Sequence, residues 1–245
     1  MDHKHRQVGG SRAFPVGGTL ALLAVFGALG GGCAEHLKGG GQDAPLVTEG
    51  TEKTSKKPAG TGALWPLATG KGWQMLTFRP NQKSVNSVIQ VAGPCRLEDG
   101  RTGTLVRSTR AGKLFRVEVY DQKANGSLSL LALGETDKKL LTFTPAIPFL
   151  SLPVEEGSEL PWKGIARIDG KDYSASATHR LSGTDTIRTP FESLLTYRLD
   201  GIISLRNGTQ RIDYPAVMWF VPGKGVGQRR LADQGAVALE VITKF

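Results

Sequence analysis

An all-β fold is predicted for residues 64–245, and three observations predict it. Turn dipeptides recur at short intervals: Asn125-Gly126, Asp169-Gly170, Asp200-Gly201 and Asn207-Gly208. No segment beyond Leu64 sustains apolar residues at helical spacing, whereas short runs of β-branched and aromatic residues fill the intervals. The 32 glycines suit a chain that turns often. We expect a mainly antiparallel, strongly curved sheet, a barrel or half-barrel. A two-sheet sandwich is the alternative.

In chain order, Lys4, Arg6 and Arg12 make a basic start, Thr19 to Leu29 an apolar core, and Gly30-Gly-Gly-Cys33 a small-residue end. That is the layout of a secretory signal, too short and glycine-broken for a membrane span. The end resembles a bacterial lipobox, which implies that Cys33 becomes the lipidated first residue. Gly30 stands where the pattern has leucine, so cleavage near Ala34 by an ordinary signal peptidase stays open. Ala34 is not an aspartate, which implies outer-membrane sorting. Residues 34–63 are rich in Gly, Lys, Thr, Glu and Pro and cannot bury enough surface to offset their ordering entropy. They read as a disordered tether spanning roughly 30 Å. Gly39-Gly-Gly-Gln-Asp-Ala44 fits G-x-G-x-x-A, but no strand precedes it and no helix follows.

Strands are then expected at Trp73–Arg79, Val85–Val91, Thr104–Arg110, Lys113–Asp121, Leu128–Leu133, Trp162–Ile168 and Lys171–Arg180. Ala111-Gly112, Asn125-Gly126 and Asp169-Gly170 read as hairpin turns, because such turns need positive φ. Val117, Val119 and Asp121 continue one face of their strand. Asp200-Gly201 and Asn207-Gly208 punctuate the later strands, and both Asn-Gly sites read as turns rather than glycosylation acceptors. Thr144 to Pro153 is a proline-broken connector, since proline cannot donate to a ladder. Ala216 to Arg230 reads as strand, Pro-Gly turn and strand, and Ala236 to Phe245 closes the domain. Pro66-Leu-Ala-Thr-Gly70 before Trp73 is echoed by Pro153-Val-Glu-Glu-Gly157 before Trp162. The echo divides the domain into halves of about 64–150 and 151–245, each with an indole at its core's edge.

The formal charge is +9; removing Lys4, Arg6, Arg12 and Asp2 with residues 1–33 takes +2 away and leaves +7. The cations are scattered without an aromatic-interleaved stripe, which argues for solvated charge and against a nucleic-acid partner. Two cysteines, Cys33 and Cys95, make no disulfide scaffold. With Cys33 lipidated, Cys95 is a lone buried thiol. A 33–95 bridge would have to close a long loose loop.

The chemistry of the common enzyme classes is missing from the sequence. His179 is the one histidine of the domain, and there is no H-E-x-x-H, C-x-x-C or G-x-S-x-G. Gly223-Lys-Gly-Val-Gly227 reads as a hairpin or bulge before it reads as a phosphate cradle. Glu155, Glu156 and Glu159 read as a solvated loop. Only a structure can align His179 with Asp185, Glu192 or Tyr197. We therefore expect no catalytic residue, no metal site and no cofactor, with carboxylate-only chemistry left open.

Pro66, Leu67, Gly70 and Trp73, their echo at Pro153, Thr189-Pro-Phe-Glu192 and Trp219-Phe-Val-Pro-Gly-Lys-Gly-Val-Gly227 carry a resemblance. They look like the motifs of uncharacterised bacterial β-rich lipoproteins containing PLxxGxxW. These are more distantly similar to half-barrel carriers of lipids or lipoproteins in the cell envelope. Thr189-Pro-Phe-Glu192 lacks that pattern's glycine. The resemblance implies an outer-membrane lipoprotein facing the periplasm and names no ligand-binding residues; a soluble secreted or periplasmic protein is the alternative. It implies a non-enzymatic binding or carrier module for an apolar ligand such as a lipid, with Trp162, Phe191, Trp219 and Phe220 supplying apolar surface. The rival reading is a structural or protein-interaction module of the envelope with no small ligand.

Overall fold

The computed structural model describes residues 63–153, 155–233 and 236–245. Cys33 and nearly all of the 34–63 tether lie outside the described residues. Twelve strands follow in chain order. They are β1 (Gly72–Phe78), β2 (Val85–Arg96), β3 (Thr102–Arg110), β4 (Lys113–Gln122), β5 (Leu128–Thr136), β6 (Lys139–Leu150), β7 (Glu159–Ile168), β8 (Lys171–Arg188), β9 (Ser193–Asn207), β10 (Gln210–Val221), β11 (Gly225–Asp233) and β12 (Ala236–Lys244). Each pairs antiparallel with its chain neighbours, and β1 pairs with β12, so the sheet closes into a barrel. Closure removes the sheet edges and settles the choice against a sandwich. The halves at 64–150 and 151–245 share this one sheet.

Along most strands apolar residues face in and polar residues face out. On β8, Ala175, Ala177, His179 and Leu181 face in, while Asp172, Ser174 and Arg180 face out. A membrane-spanning barrel carries the reverse alternation, with its apolar band outward.

Two hairpins form on the expected residues. Ala111 and Gly112 have φ of 46° and 76°, and Asp169 and Gly170 of 49° and 73°. Both central residues are left-handed, as a two-residue hairpin matched to strand twist requires. Strands β2 and β8 outrun their expected ends because bulges let them continue. The register shifts at Val91/Gly93 and Leu181/Gly183, where the glycines take φ of 116° and 112°.

Two expectations are corrected. Thr144 to Pro153 is not simply a connector, since β6 runs through Pro145 and Pro148 to Leu150, pairing with β5. β6 pairs with β7 only at Thr142, Phe143 and Thr144, so on that side no ladder partner faces Pro145 or Pro148. Asp200-Gly201 is no turn but lies within β9. A Cβ on Gly201 would stand 2.6 Å from His179 Cδ2, so glycine is there for close approach of the imidazole.

Antiparallel order places the 111–112, 169–170 and 208–209 turns at one end of the barrel. The segment leading into β1 lies at the other. There Trp65 is fully buried, edge-on to Trp73 and Tyr120 at centroid distances of 6.1 and 5.2 Å. The Gln122 amide donates to the Trp65 carbonyl at 2.9 Å and fixes this plug. Phe220 and Phe149 extend the aromatic packing towards His179.

Candidate functional site

The interior nearer the 111–112 turn carries a layer of buried charge. Its members come from strands far apart in sequence but adjacent across the barrel seam. Glu240 on β12 accepts from Arg110 Nη2 and Thr77 Oγ1, each at 3.1 Å, and from Arg229 Nε. Arg229 Nη2 donates to Ser108 Oγ at 2.9 Å, and its Nη1 lies 3.8 Å from Glu118 Oε2. Glu118 accepts from Arg116 Nη2 at 2.8 Å and from the Tyr120 hydroxyl at 3.1 Å. Thr77 also shares a hydrogen bond with Ser87.

Burial alone would push both carboxyls up, but the adjacent arginines outweigh it. Arg116 and Arg229 hold Glu118 below its ordinary pKa, and Arg229 and Arg110 do the same for Glu240. Both glutamates are therefore ionised. Burial works against the charge on Arg116 as well, yet Glu118 keeps its pKa raised.

Reading the sequence missed this layer. It follows the strand alternation with the faces exchanged: Arg116, Glu118 and Tyr120 point inward, while Val117 and Val119 point out. Outside, these valines pack with Leu97, Leu105, Leu131 and Ala132 in a small second cluster. Cys95 borders that cluster, half-buried, with its thiol pKa raised chiefly by burial. The five charged members, Arg110, Arg116, Glu118, Arg229 and Glu240, sit on β3, β4, β11 and β12, and no local pattern links the four strands. The usable signal was a charged residue between two valines on β4, which an outward apolar cluster explains.

A narrow cleft adjoins the layer, with a cavity volume of about 30 Å³, room for a water or two. Leu130, Leu133, Phe149, Ile203, Met218 and Leu231 give it an apolar body. Arg116, Glu118, His179 and Tyr214 supply the polar groups. His179 is almost fully buried and lies edge-on to Phe149 at 5.0 Å. Burial lowers its pKa to about 4, opposed by the Pro148 carbonyl, so the ring is neutral at pH 7. Its Nδ1 has no hydrogen-bond partner among the described residues.

The other candidate residues do not converge. Glu159 pairs loosely with Arg180 at 3.9 Å on the surface, and Glu155 is exposed. Asp185 accepts from the Trp219 indole at 2.9 Å, and Glu192 stands exposed in the 189–192 turn. Tyr197 faces the interior beside Phe220 in the ladder. Of the carboxylates, Glu118 shares the cleft with His179, but its oxygens engage Arg116, Tyr120 and Arg229. The four aromatics expected to line one apolar surface are also dispersed. Phe220 is in the core, and Trp219 lies on the opposite face of β10 between Arg198 and Arg230. Trp162 donates to the Pro145 carbonyl at 3.1 Å, and Phe191 is 76 % exposed. Gly223 to Gly227 forms the β10–β11 turn and a bulge, as expected. Trp73 lies over Gly225 and donates to the Lys224 carbonyl at 2.6 Å. The two strongest sequence motifs, Pro66 to Trp73 and Trp219 to Gly227, thus meet in space.

The fold and the site define a closed antiparallel barrel with a plugged end, a charged interior layer and a narrow cleft. No family model matches the chain, and no curated protein matches it. Solved structures of similar outline exist. A proposed exported protein with a YmcC-like fold from Bacteroides fragilis superposes with a TM-score of 0.44 at 12 % identity, over 75 % of this chain and 98 % of that one. A proposed lipoprotein from Parabacteroides distasonis gives 0.38 at 11 %, over 75 % and 98 %. The hypothetical lipoprotein YmcC from Escherichia coli gives 0.38 at 12 %, over 72 % and 88 %. At such identity and superposition these likenesses carry no argument about location or ligand.

Proposed function

We propose that the chain is an exported, lipid-anchored envelope protein whose barrel binds a small, largely apolar ligand without catalysing a reaction. The carrying observation is the cleft, an apolar body with a few convergent polar groups inside a rigid closed sheet. Its small volume argues against a diacyl lipid, and a small ligand would enter by displacing water and shifting the apolar side chains that line it. The rings of Trp65, Tyr120, Phe149 and Phe220 already fill the barrel towards the plug, where a long acyl chain would have to lie. The anchor and the envelope location rest on the signal-like first 33 residues and on Cys33. The non-catalytic reading is supported by a histidine that stays neutral and by a glutamate held ionised in ion pairs, where a general acid would need a raised pKa.

Native mass spectrometry of the full chain, purified from envelopes under non-denaturing conditions, tests the binding reading. A co-purified small molecule, absent from an Ala232→Trp variant that alters the cleft wall, is the expected result. A ligand-free protein that also takes up no short-chain alcohol or acid would overturn it.

One observation favours a second reading, that of an interaction module. Phe191 and Leu195 stand 76 % and 49 % exposed at and beside the β8–β9 tip. Photocrosslinking from position 191 in intact envelopes would then capture a protein partner.

A further inference from the structure

Arg116, Glu118 and His179 all line the cleft, and each brings one unmatched polar atom to it. Arg116 Nε, Glu118 Oε2 and His179 Nδ1 are shut off from bulk solvent and have no hydrogen-bond partner among the described residues. Arg229 Nη1, behind the cleft wall, is in the same position. It lies 3.8 Å from Glu118 Oε2, too far for a hydrogen bond although the two carry opposite charges. Glu118 is ionised, so its Oε2 only accepts. The His179 ring gives a proton to the Pro148 carbonyl. With Nδ1 unpartnered, that proton is the one on Nε2, and Nδ1 of the neutral ring is an acceptor. The unmatched set is therefore two donors, Arg116 Nε and Arg229 Nη1, and two acceptors, Glu118 Oε2 and His179 Nδ1. Buried polar atoms left so are costly, charged ones most of all.

We infer that the cleft is a site for tightly held water, and that this water joins His179 to the ion layer. A water molecule accepts two hydrogen bonds and donates two, which is the complement of the unmatched set. One molecule, or two in contact, takes the arginine hydrogens and gives its own to the carboxylate and the imidazole. The Arg229–Glu118 contact, longer than a hydrogen bond, is the kind of gap a bridging water closes. An ion fits less well, because a cation would face Arg116 and Arg229 and an anion would face Glu118. An apolar occupant would leave all four atoms unmatched. His179, Gly201, Ala216 and Leu231 lie in register across β8, β9, β10 and β11, and the bare Gly201 leaves space for the ring. The water then fixes the tautomer of that ring from one side and Pro148 fixes it from the other. This inference goes beyond the binding reading and does not rest on it; an organic ligand entering the cleft would have to take over these hydrogen bonds.

Oxygen-17 magnetic relaxation dispersion of the full chain in solution counts the waters that stay bound while the protein tumbles. The wild type is compared with Ala216→Leu, which sets a longer side chain on the cleft wall at the level of His179. Far-UV circular dichroism checks that the variant is folded. Ala216→Leu is expected to lose about one or two long-lived waters. An undiminished count in the folded variant overturns the inference. If Ala216→Leu does not fold, His179→Phe takes its place, since it keeps a ring against Phe149 and removes the acceptor. The wild type also gives a reading that needs no variant. Long-range proton–nitrogen correlation NMR at pH 7 is expected to place the His179 proton on Nε2, with Nδ1 shifted as a nitrogen that accepts a hydrogen bond. A proton on Nδ1, or an Nδ1 with the shift of a free acceptor, overturns the inference. Neither readout involves an organic ligand, so a cleft that holds water and takes up no alcohol or acid supports this inference and ends the binding reading.

Discussion

Glu240 has no exposed surface and accepts hydrogen bonds from two arginines on different strands. Removing its charge deprives buried Arg229 and Arg110 of the carboxylate they share. Glu240→Gln should cost about 3–5 kcal/mol in urea unfolding at neutral pH, the range for breaking one partner of a buried pair. An Arg229→Met, Glu240→Leu double variant should lose less than the single one, because both charges go together. A single-variant loss below about 1 kcal/mol would mean that the layer is wet and relaxed. His179 makes a separate pH prediction. Its folded pKa of about 4 lies below the ordinary 6.5, so the unfolded chain binds the proton more readily between those values. Stability from this residue is complete above pH 6.5 and falls as the pH drops towards 4, by about 3 kcal/mol. Glu118 and Glu240 add their own loss only below the ordinary carboxylate value of 4.5, as the pH falls through their lowered pKa values. Urea midpoints at pH 7 and pH 5 should therefore differ in the wild type, and His179→Gln should reduce that difference.

Among the strands, glycine marks both what could be read and what could not. Gly201 packs under the His179 ring at 2.6 Å from the position a Cβ would take. Gly201→Ala should destabilise by about 1–3 kcal/mol through overpacking. In a His179→Ala background the same change should cost much less, a coupling that a double-mutant cycle measures. Additive costs would show that the two residues do not meet. In the sequence Asp200-Gly201 looked like a turn, because turn chemistry and close approach both select glycine. Ala111-Gly112 and Asp169-Gly170 were legible because two consecutive positive φ values leave few other residue choices. The bulges at Gly93 and Gly183 hid the true lengths of β2 and β8, since a bulge shifts the alternation on which strand reading depends. The ion pairs across the barrel were missed for a different reason. Glu118 meets Arg229, and Glu240 meets Arg110, only when β12 closes on β1, and closure leaves no mark within any single strand.

Taken whole, the barrel has two unlike ends. The segment leading into β1 lies at the plugged end. The charged layer and much of the cleft wall lie nearer the opposite end. Trp65 closes the plugged end and touches Trp73, Tyr120 and Phe220. Trp65→Ala should cost about 3–5 kcal/mol in thermal or urea unfolding, as large aromatic truncations in cores do. A negligible loss would show that the 64–67 segment merely rests on the barrel. The segment was legible only as the start of the folded domain; nothing local shows that its tryptophan enters a barrel closed 170 residues later. The central claim is that the cleft, and not the β8–β9 tip, is where this protein meets its ligand. Backbone amide NMR of the isotope-labelled full chain, titrated with hexanoate, tests it most directly. Shifts concentrated at Leu130, Phe149, His179, Gly201 and Leu231 are the predicted result. Shifts concentrated at Phe191 and Leu195, or no saturable shifts at all, would contradict it.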